Sequence, residues 1–336
     1  DRPVRGKWVT DPPALAGNAR GDAIVAWSRY GPEEDGFGCE KCDDVIARVR
    51  RDGRPFGPRV VVARRQTMRD LRVAMNARGD AVVAWTDATA DRVHARYLTD
   101  QDRWKKVDTV PDPARRGYLG DSATDFAAAI GPEGQVVLAW ASTAEPGDIN
   151  SDPFPQPVYA AVRPRDGRLG KGIELADNTA QPHGAAAAVG HLDAAITTRG
   201  EVLVAFTDQV ADGPPRVRAA ILAGDTVVAD RTLSTDPKRG GELVDVAPGR
   251  RGEALVLWAT TRYSEGFLAT GLQATLLRGR TYGPTHQVTS PADRAEVGDA
   301  VAAIDPAGRR AHAMWLRYGG RDGNGSRVLT SSRAIP

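Results

Sequence analysis

Cysteine is nearly missing: the 336 residues contain two, Cys39 and Cys42, in a single "GCEKC" stretch. No second cysteine pair accompanies them and the five histidines are scattered, so a four-ligand zinc centre has no ligand set. The stretch reads as a loop between strands rather than a helix start, which excludes a thioredoxin-type site. A local disulfide that pins the loop is the expectation, and it points to an oxidising compartment and a secreted or extracytoplasmic chain, with its signal peptide removed or not shown. Long apolar runs are missing too. No stretch reaches 18 residues, which excludes a membrane-spanning helix. Net charge is only +2, so neither a nucleic-acid footprint nor a membrane-surface patch is indicated. No Walker loop, G-x-S-x-G or H-E-x-x-H occurs.

What is present is repetition. "NARGDAIVAW" at 18–27 returns almost unchanged as "NARGDAVVAW" at 76–85. Weaker copies follow: "GPEGQVVLAW" (131–140), "TTRGEVLVAF" (197–206), "GRRGEALVLW" (249–258) and "DPAGRRAHAMW" (305–315). The turn glycines are Gly21, Gly79, Gly134, Gly200, Gly252 and Gly308, separated by 58, 55, 66, 52 and 56 residues. An aromatic follows six residues after each glycine, seven in the last unit: Trp27, Trp85, Trp140, Phe206, Trp258 and Trp315.

Each unit divides into four short strands. One ends at the glycine turn. The next, such as "DAVVAW", is apolar throughout, as a strand buried on both faces must be. The third alternates, as in "DVIARVR" (44–50), and a turn leads into the fourth, as in "PRVVVA" (58–63). Six such units predict an all-β chain: a six-bladed β-propeller of four-stranded antiparallel blades in one domain over 1–336. The blade cores fall near 11–63, 70–110, 125–176, 191–233, 243–289 and 298–336. The last unit stops after three strands, and residues 1–10 resemble a fourth, so the N-terminal strand is expected to complete the last blade and close the ring. The aromatics are expected to wedge between blades. The two "RGD" triplets lie in the repeat turn, and repetition explains them better than cell adhesion does. "NGS" at 324–326 matches a glycosylation sequon by pattern only.

The glycine turns and most third-to-fourth turns are short and share one face. Long connections emerge on the other, which makes it the candidate working face. Three second strands end there in Arg29–Tyr30, Arg262–Tyr263 and Arg317–Tyr318, groups suited to carboxylates, sulfates and sugars. The alternative for these pairs is that they cap strand ends and cover the aromatic wedges. Blades 2 and 4 carry Asp87 and Asp208 nearby instead. Around the axial opening stand Asp70, Asp125, His191 and Asp299, with Asp193 and Asp245 two positions further in. Such a ring suits Ca²⁺ through oxygen ligands, or the acid and base of a glycosidase with Asp70, Asp125 and Asp299 as candidates. Its bland counterpart is aspartate opening a strand by bonding its own turn.

The units "GDAVVAW…VHARY" resemble the blades of secreted bacterial β-propellers over the whole chain. Sialidases, six-bladed propellers with an arginine triad that grips a substrate carboxylate, invite comparison with Arg29, Arg262 and Arg317. The chain departs from them in lacking the S-x-D-x-G-x-x-W box. The expected function is a secreted binding module for a glycan or protein ligand on the long-loop face. The alternative is a glycan hydrolase or lyase that uses the axial carboxylates. Apart from calcium, no cofactor is expected.

Overall fold

Each repeat turn needs a left-handed residue, and each has glycine there: φ is +83° at Gly21, +92° at Gly79, +85° at Gly134, +80° at Gly200, +85° at Gly252 and +63° at Gly308. The computed structural model describes residues 12–29, 43–66, 68–87, 92–111, 126–141, 157–176, 191–208, 214–236, 238–262, 269–289, 296–318 and 326–335. Among these residues all regular structure is β, and no helix is long and apolar enough to cross a membrane.

The strands form six antiparallel meanders in chain order. The first holds β1 (Ala14–Gly17), β2 (Ala23–Arg29), β3 (Asp43–Arg50) and β4 (Val60–Gln66). The second holds β5 (Met68–Met75), β6 (Ala81–Asp87), β7 (Arg92–Leu98) and β8 (Asp108–Pro111). The third holds β9 (Phe126–Ile130), β10 (Val136–Ala141), β11 (Val158–Arg163) and β12 (Ile173–Ala176). The fourth holds β13 (Leu192–Ile196), β14 (Val202–Asp208), β15 (Arg216–Ala223) and β16 (Thr226–Thr232). The fifth holds β17 (Arg239–Pro248), β18 (Glu253–Arg262), β19 (Ala269–Arg278) and β20 (Thr281–Gln287). The sixth holds β21 (Glu296–Ile304), β22 (Arg310–Tyr318) and β23 (Ser326–Ala334), three strands among the described residues. First strands of successive sheets lie side by side, from β1 against β5 to β17 against β21. Sheets stacked face to face through their inner strands are the blades of a β-propeller.

Packing follows one rule. The aromatic of each sheet from the second onward lies in the same buried cluster as an apolar pair on the sheet before it. Trp85 joins Ile24 and Ala26, Trp140 joins Val82 and Ala84, and Phe206 joins Val137 and Ala139. Trp258 joins Leu203 and Ala205, and Trp315 joins Leu255 and Leu257. Trp85, Trp140 and Trp258 are fully enclosed, and Phe206 nearly so. At the corresponding places of the sixth sheet stand His312 and Met314, both exposed, beside exposed Val301, Val328, Thr330 and Ser332. No buried cluster among the described residues joins that face to the first sheet, where Leu15 is exposed and Trp27 only half-buried. Residues 1–10, expected to supply the last outer strand, lie outside the described residues.

The repeated decapeptide also has a bonding role. Asn18 Oδ1 accepts the N–H groups of Arg20 and Asp22, at 3.0 and 3.2 Å, while its Nδ2 donates to Asn76 O on the next sheet at 3.1 Å. Asn76 repeats the pattern and donates to Gly131 O at 3.0 Å. Arg20 pairs with Asp22 at 2.6 Å and also donates to Arg78 O. Asp22 is buried. Burial alone raises its carboxyl, but the Asp52 N–H, Asn18 and Arg20 outweigh that and hold it at about 2. The RGD triplets are therefore inter-blade hardware, with the acid turned inward.

Removing an enclosed wedge deletes an indole and leaves a cavity. Trp140→Ala is expected to lower unfolding stability by about 3–5 kcal/mol. Trp27→Ala, on the half-covered first sheet, should cost well under half as much; guanidinium unfolding of the two variants checks the difference.

Candidate functional site

Inner strands begin on the long-connection face, and the structure brings three sequence-conspicuous positions, His191, Asp193 and Asp245, together there with Glu242 on the fourth and fifth sheets. His191 immediately precedes β13, and its Nε2 lies 2.6 Å from Oε1 of Glu242 on β17, both side chains partly exposed. The Thr207 N–H donates to His191 O at 3.1 Å, and Thr207 Oγ1 accepts the Leu243 N–H at 2.9 Å, so one residue ties the two strand starts in place.

One step further in lie Asp193 and Asp245. Asp193 accepts the N–H groups of Ala194 at 2.8 Å and Val246 at 2.7 Å. Asp245 accepts the Ala302 N–H at 2.6 Å. Each carboxyl thus grips the inner strand of the following sheet, in a stair running from the fourth sheet to the sixth. Burial raises the Asp193 carboxyl to about 7 and the Asp245 charge adds to this, outweighing the two amides. Asp193 therefore keeps its proton far above the usual carboxylate range.

The remaining candidates separate into different settings. Asp70 is buried, and its N–H donates to Thr86 Oγ1 at 3.2 Å. Asp299 is exposed on β21. Asp87 lies 3.8 Å from His94 Nε2, and the imidazole stacks on Trp85 with centroids 5.3 Å apart. Burial lowers the His94 pKa first of all, against the opposing pull of Asp87. Asp208 and Asp230 share Arg218 across the fourth sheet, Asp208 at 2.9 Å. Arg29, Arg262 and Arg317 end β2, β18 and β22. The last two are on adjacent sheets, whereas no buried cluster among the described residues links the first sheet with the sixth. The Tyr318 ring lies across Gly298, where a Cβ would stand 2.1 Å from it, so Tyr318 covers the start of β21. Asp125, Tyr30, Tyr263, Cys39 and Cys42 lie outside the described residues. Among those described, no group of three His, Cys, Asp or Glu is placed to hold a metal ion.

Counting back from the turn glycine picks out His191 but passes over Glu242. The reason is a bulge: the β17–β18 register shifts between Leu243 and Asp245, which inserts one residue. Glu242 therefore pairs with Ala259, the residue after Trp258, as His191 adjoins Thr207, the residue after Phe206. Aligning on the aromatic instead of the glycine would have found it.

No protein-family model matches the chain, and no curated protein does. Solved structures do. The polysaccharide lyase Uly1 is 9% identical, with 95% of this chain and 77% of that one covered and a TM-score of 0.50. A Hadza microbial sialidase, Hz136, is 13% identical over 91% and 63% of the two chains, with a TM-score of 0.44. An α-L-arabinanase of Penicillium chrysogenum is 12% identical over 77% and 79%, with a TM-score of 0.47. At such identity the likeness to the lyase concerns the fold.

The folded chain holds the Asp193 proton more tightly than the unfolded chain does, since the pKa is raised on folding. Its contribution to stability is complete below about pH 4, where even a solvated aspartate is protonated, and is lost as pH rises through about 7. Asp193→Asn should flatten that slope, as read from melting temperatures between pH 4.5 and 8.

Proposed function

We propose that the protein is a glycan-binding module that takes its ligand at the inner-strand rim of the long-connection face. The observation that carries this reading is the His191–Glu242 pair seated over the Asp193–Asp245 pair. Sugar hydroxyls both donate and accept. A partly exposed imidazole and carboxylate meet both needs, and the rigid stair beneath fixes where they point. Arg317 and Tyr318, at the end of β22 two sheets on, extend the polar rim, with Arg29–Tyr30 and Arg262–Tyr263 proposed beside them. The proposal places the protein outside the cytoplasm, with Cys39 and Cys42 joined.

It also includes closure of the ring. Residues 1–10 add to the outer edge of β23, so that the first and sixth sheets cover each other. Support comes from the three-stranded sixth sheet and from exposed Leu15, Val301, Met314 and Val328. In the completed ring all three arginines would face one opening.

A second reading, a glycan hydrolase or lyase, draws on one observation: Asp193 keeps a proton near neutral pH, as a general acid must. Both of its oxygens already accept backbone N–H groups, of Ala194 and Val246, which favours binding instead. The two carboxyls of a glycosidase stand about 5–9.5 Å apart to admit the sugar and water.

A glycan array probed with the purified chain, followed by calorimetry on the strongest hit, tests the proposal. Glu242→Gln and His191→Ala should each weaken that hit about tenfold or more without changing the melting curve by more than a few degrees. Undiminished binding by both variants would remove the rim from consideration. Turnover of the bound glycan that disappears in Asp193→Asn would shift the assignment to catalysis.

A further inference from the structure

Of the seven tryptophans, five occupy the repeat position; Trp104 does not, and it follows the second sheet's third strand on the short-turn face. It is half-buried and bridges Leu98 across the turn. The Arg96 guanidinium lies over its ring at 5.4 Å. Arg96 is itself anchored by Val61 O at 3.0 Å, Val62 O at 2.9 Å and Lys105 O at 3.0 Å, so the indole is fixed across the seam between the first two sheets. Trp104 lines a cleft of about 380 Å³ between the 51–58 turn and the 98–104 turn. Pro55 and Pro58 contribute apolar surface, and Arg51, Arg54 and Asp102 contribute charge.

These charges are unequal in how they are used. Arg51 donates to Asp102 Oδ1 through Nε at 2.9 Å and Nη2 at 2.8 Å, and to Gly79 O at 2.8 Å and Thr99 O at 3.1 Å. Both Arg51 contacts fall on Oδ1, which leaves Asp102 Oδ2, on a side chain 62% exposed, as an outward acceptor. Asp102 stands at φ +59°, a conformation that aims it from the turn. Arg54 is exposed, and among the described residues its guanidinium has no ion pair or hydrogen-bond partner. The cleft thus offers an aromatic plate, one hydroxyl acceptor and one uncommitted cation.

We infer that this cleft is a second ligand site, distinct from the inner-strand rim, and that it takes a sugar ring bearing a carboxylate. The apolar face of a pyranose lies on the exposed part of the indole. A ring hydroxyl donates to Asp102 Oδ2, and the sugar carboxylate pairs with Arg54, whose planar fork suits that geometry. A neutral sugar would use the first two contacts and leave the cation idle.

Calorimetric titration of the full chain with trigalacturonate and with its methyl ester, equal in shape but uncharged, tests the inference. Trigalacturonate should bind at least tenfold more tightly than the ester. Arg54→Gln, an exposed change that leaves the fold intact, should erase that preference. Trp104→Ala should abolish binding of both, and Trp104→Phe should restore part of it, which separates a lost plate from a lost fold. Glu242→Gln should leave all of this unchanged, so the cleft and the rim stand or fall separately. Failure of wild type to bind trigalacturonate overturns the inference, as does equal affinity for acid and ester. Wild-type binding by Arg54→Gln and Trp104→Ala, or loss confined to Glu242→Gln, overturns it equally.

Discussion

From the second sheet onward, the aromatic six or seven residues past the turn glycine fills the gap to the sheet before it. That contact runs in one direction along the chain. It fixes the spacing between sheets, and thereby the distance across which an inner-strand carboxyl can reach a neighbour's amide. The Asp193-to-Val246 and Asp245-to-Ala302 bonds cross the same two seams that Trp258 and Trp315 fill. On the opposite face the Asn18 and Asn76 amides make the same kind of step between turns. Wedges set the pitch, and side-chain-to-backbone bonds at both ends keep it.

A stack organised in this way separates stability from recognition. The apolar strands do the packing, and the chemistry is confined to strand ends, where polar groups can be changed without disturbing a wedge. His191 and Glu242 are partly exposed at such ends, while Asp193 and Asp245 below them each grip the next sheet and Asp193 holds its proton far above the usual carboxylate range. A carboxyl pair of that kind is costly to bury unless amides and a proton offset it, and both are present here.

The period, the strand assignments and the wedge role of the aromatics were legible because they repeat: a glycine needing positive φ and an aromatic at fixed offset leave a signal in every unit. Bulges and side-chain geometry do not repeat. One extra residue in β17 hid Glu242 from any count made from the glycine. The burial of Asp70 beneath Thr86, against the exposure of Asp299 at the same count, depends on local strand register that composition does not record. The RGD triplets show the converse. Their repetition argued for a structural part, but only the geometry revealed that the asparagine two residues upstream reaches into the following blade.

The outward face of the sixth sheet differs from its counterparts: His312, Thr330 and Ser332 stand where the other sheets set aliphatic or small apolar residues. Stacks built from like units carry an inherent hazard, since a terminal surface matching every internal one invites further molecules to add end to end without limit. Exposed Val301, Met314 and Val328 share the sixth sheet's face with those polar groups, so any surface that covers it must supply hydrogen-bond partners as well as apolar contact.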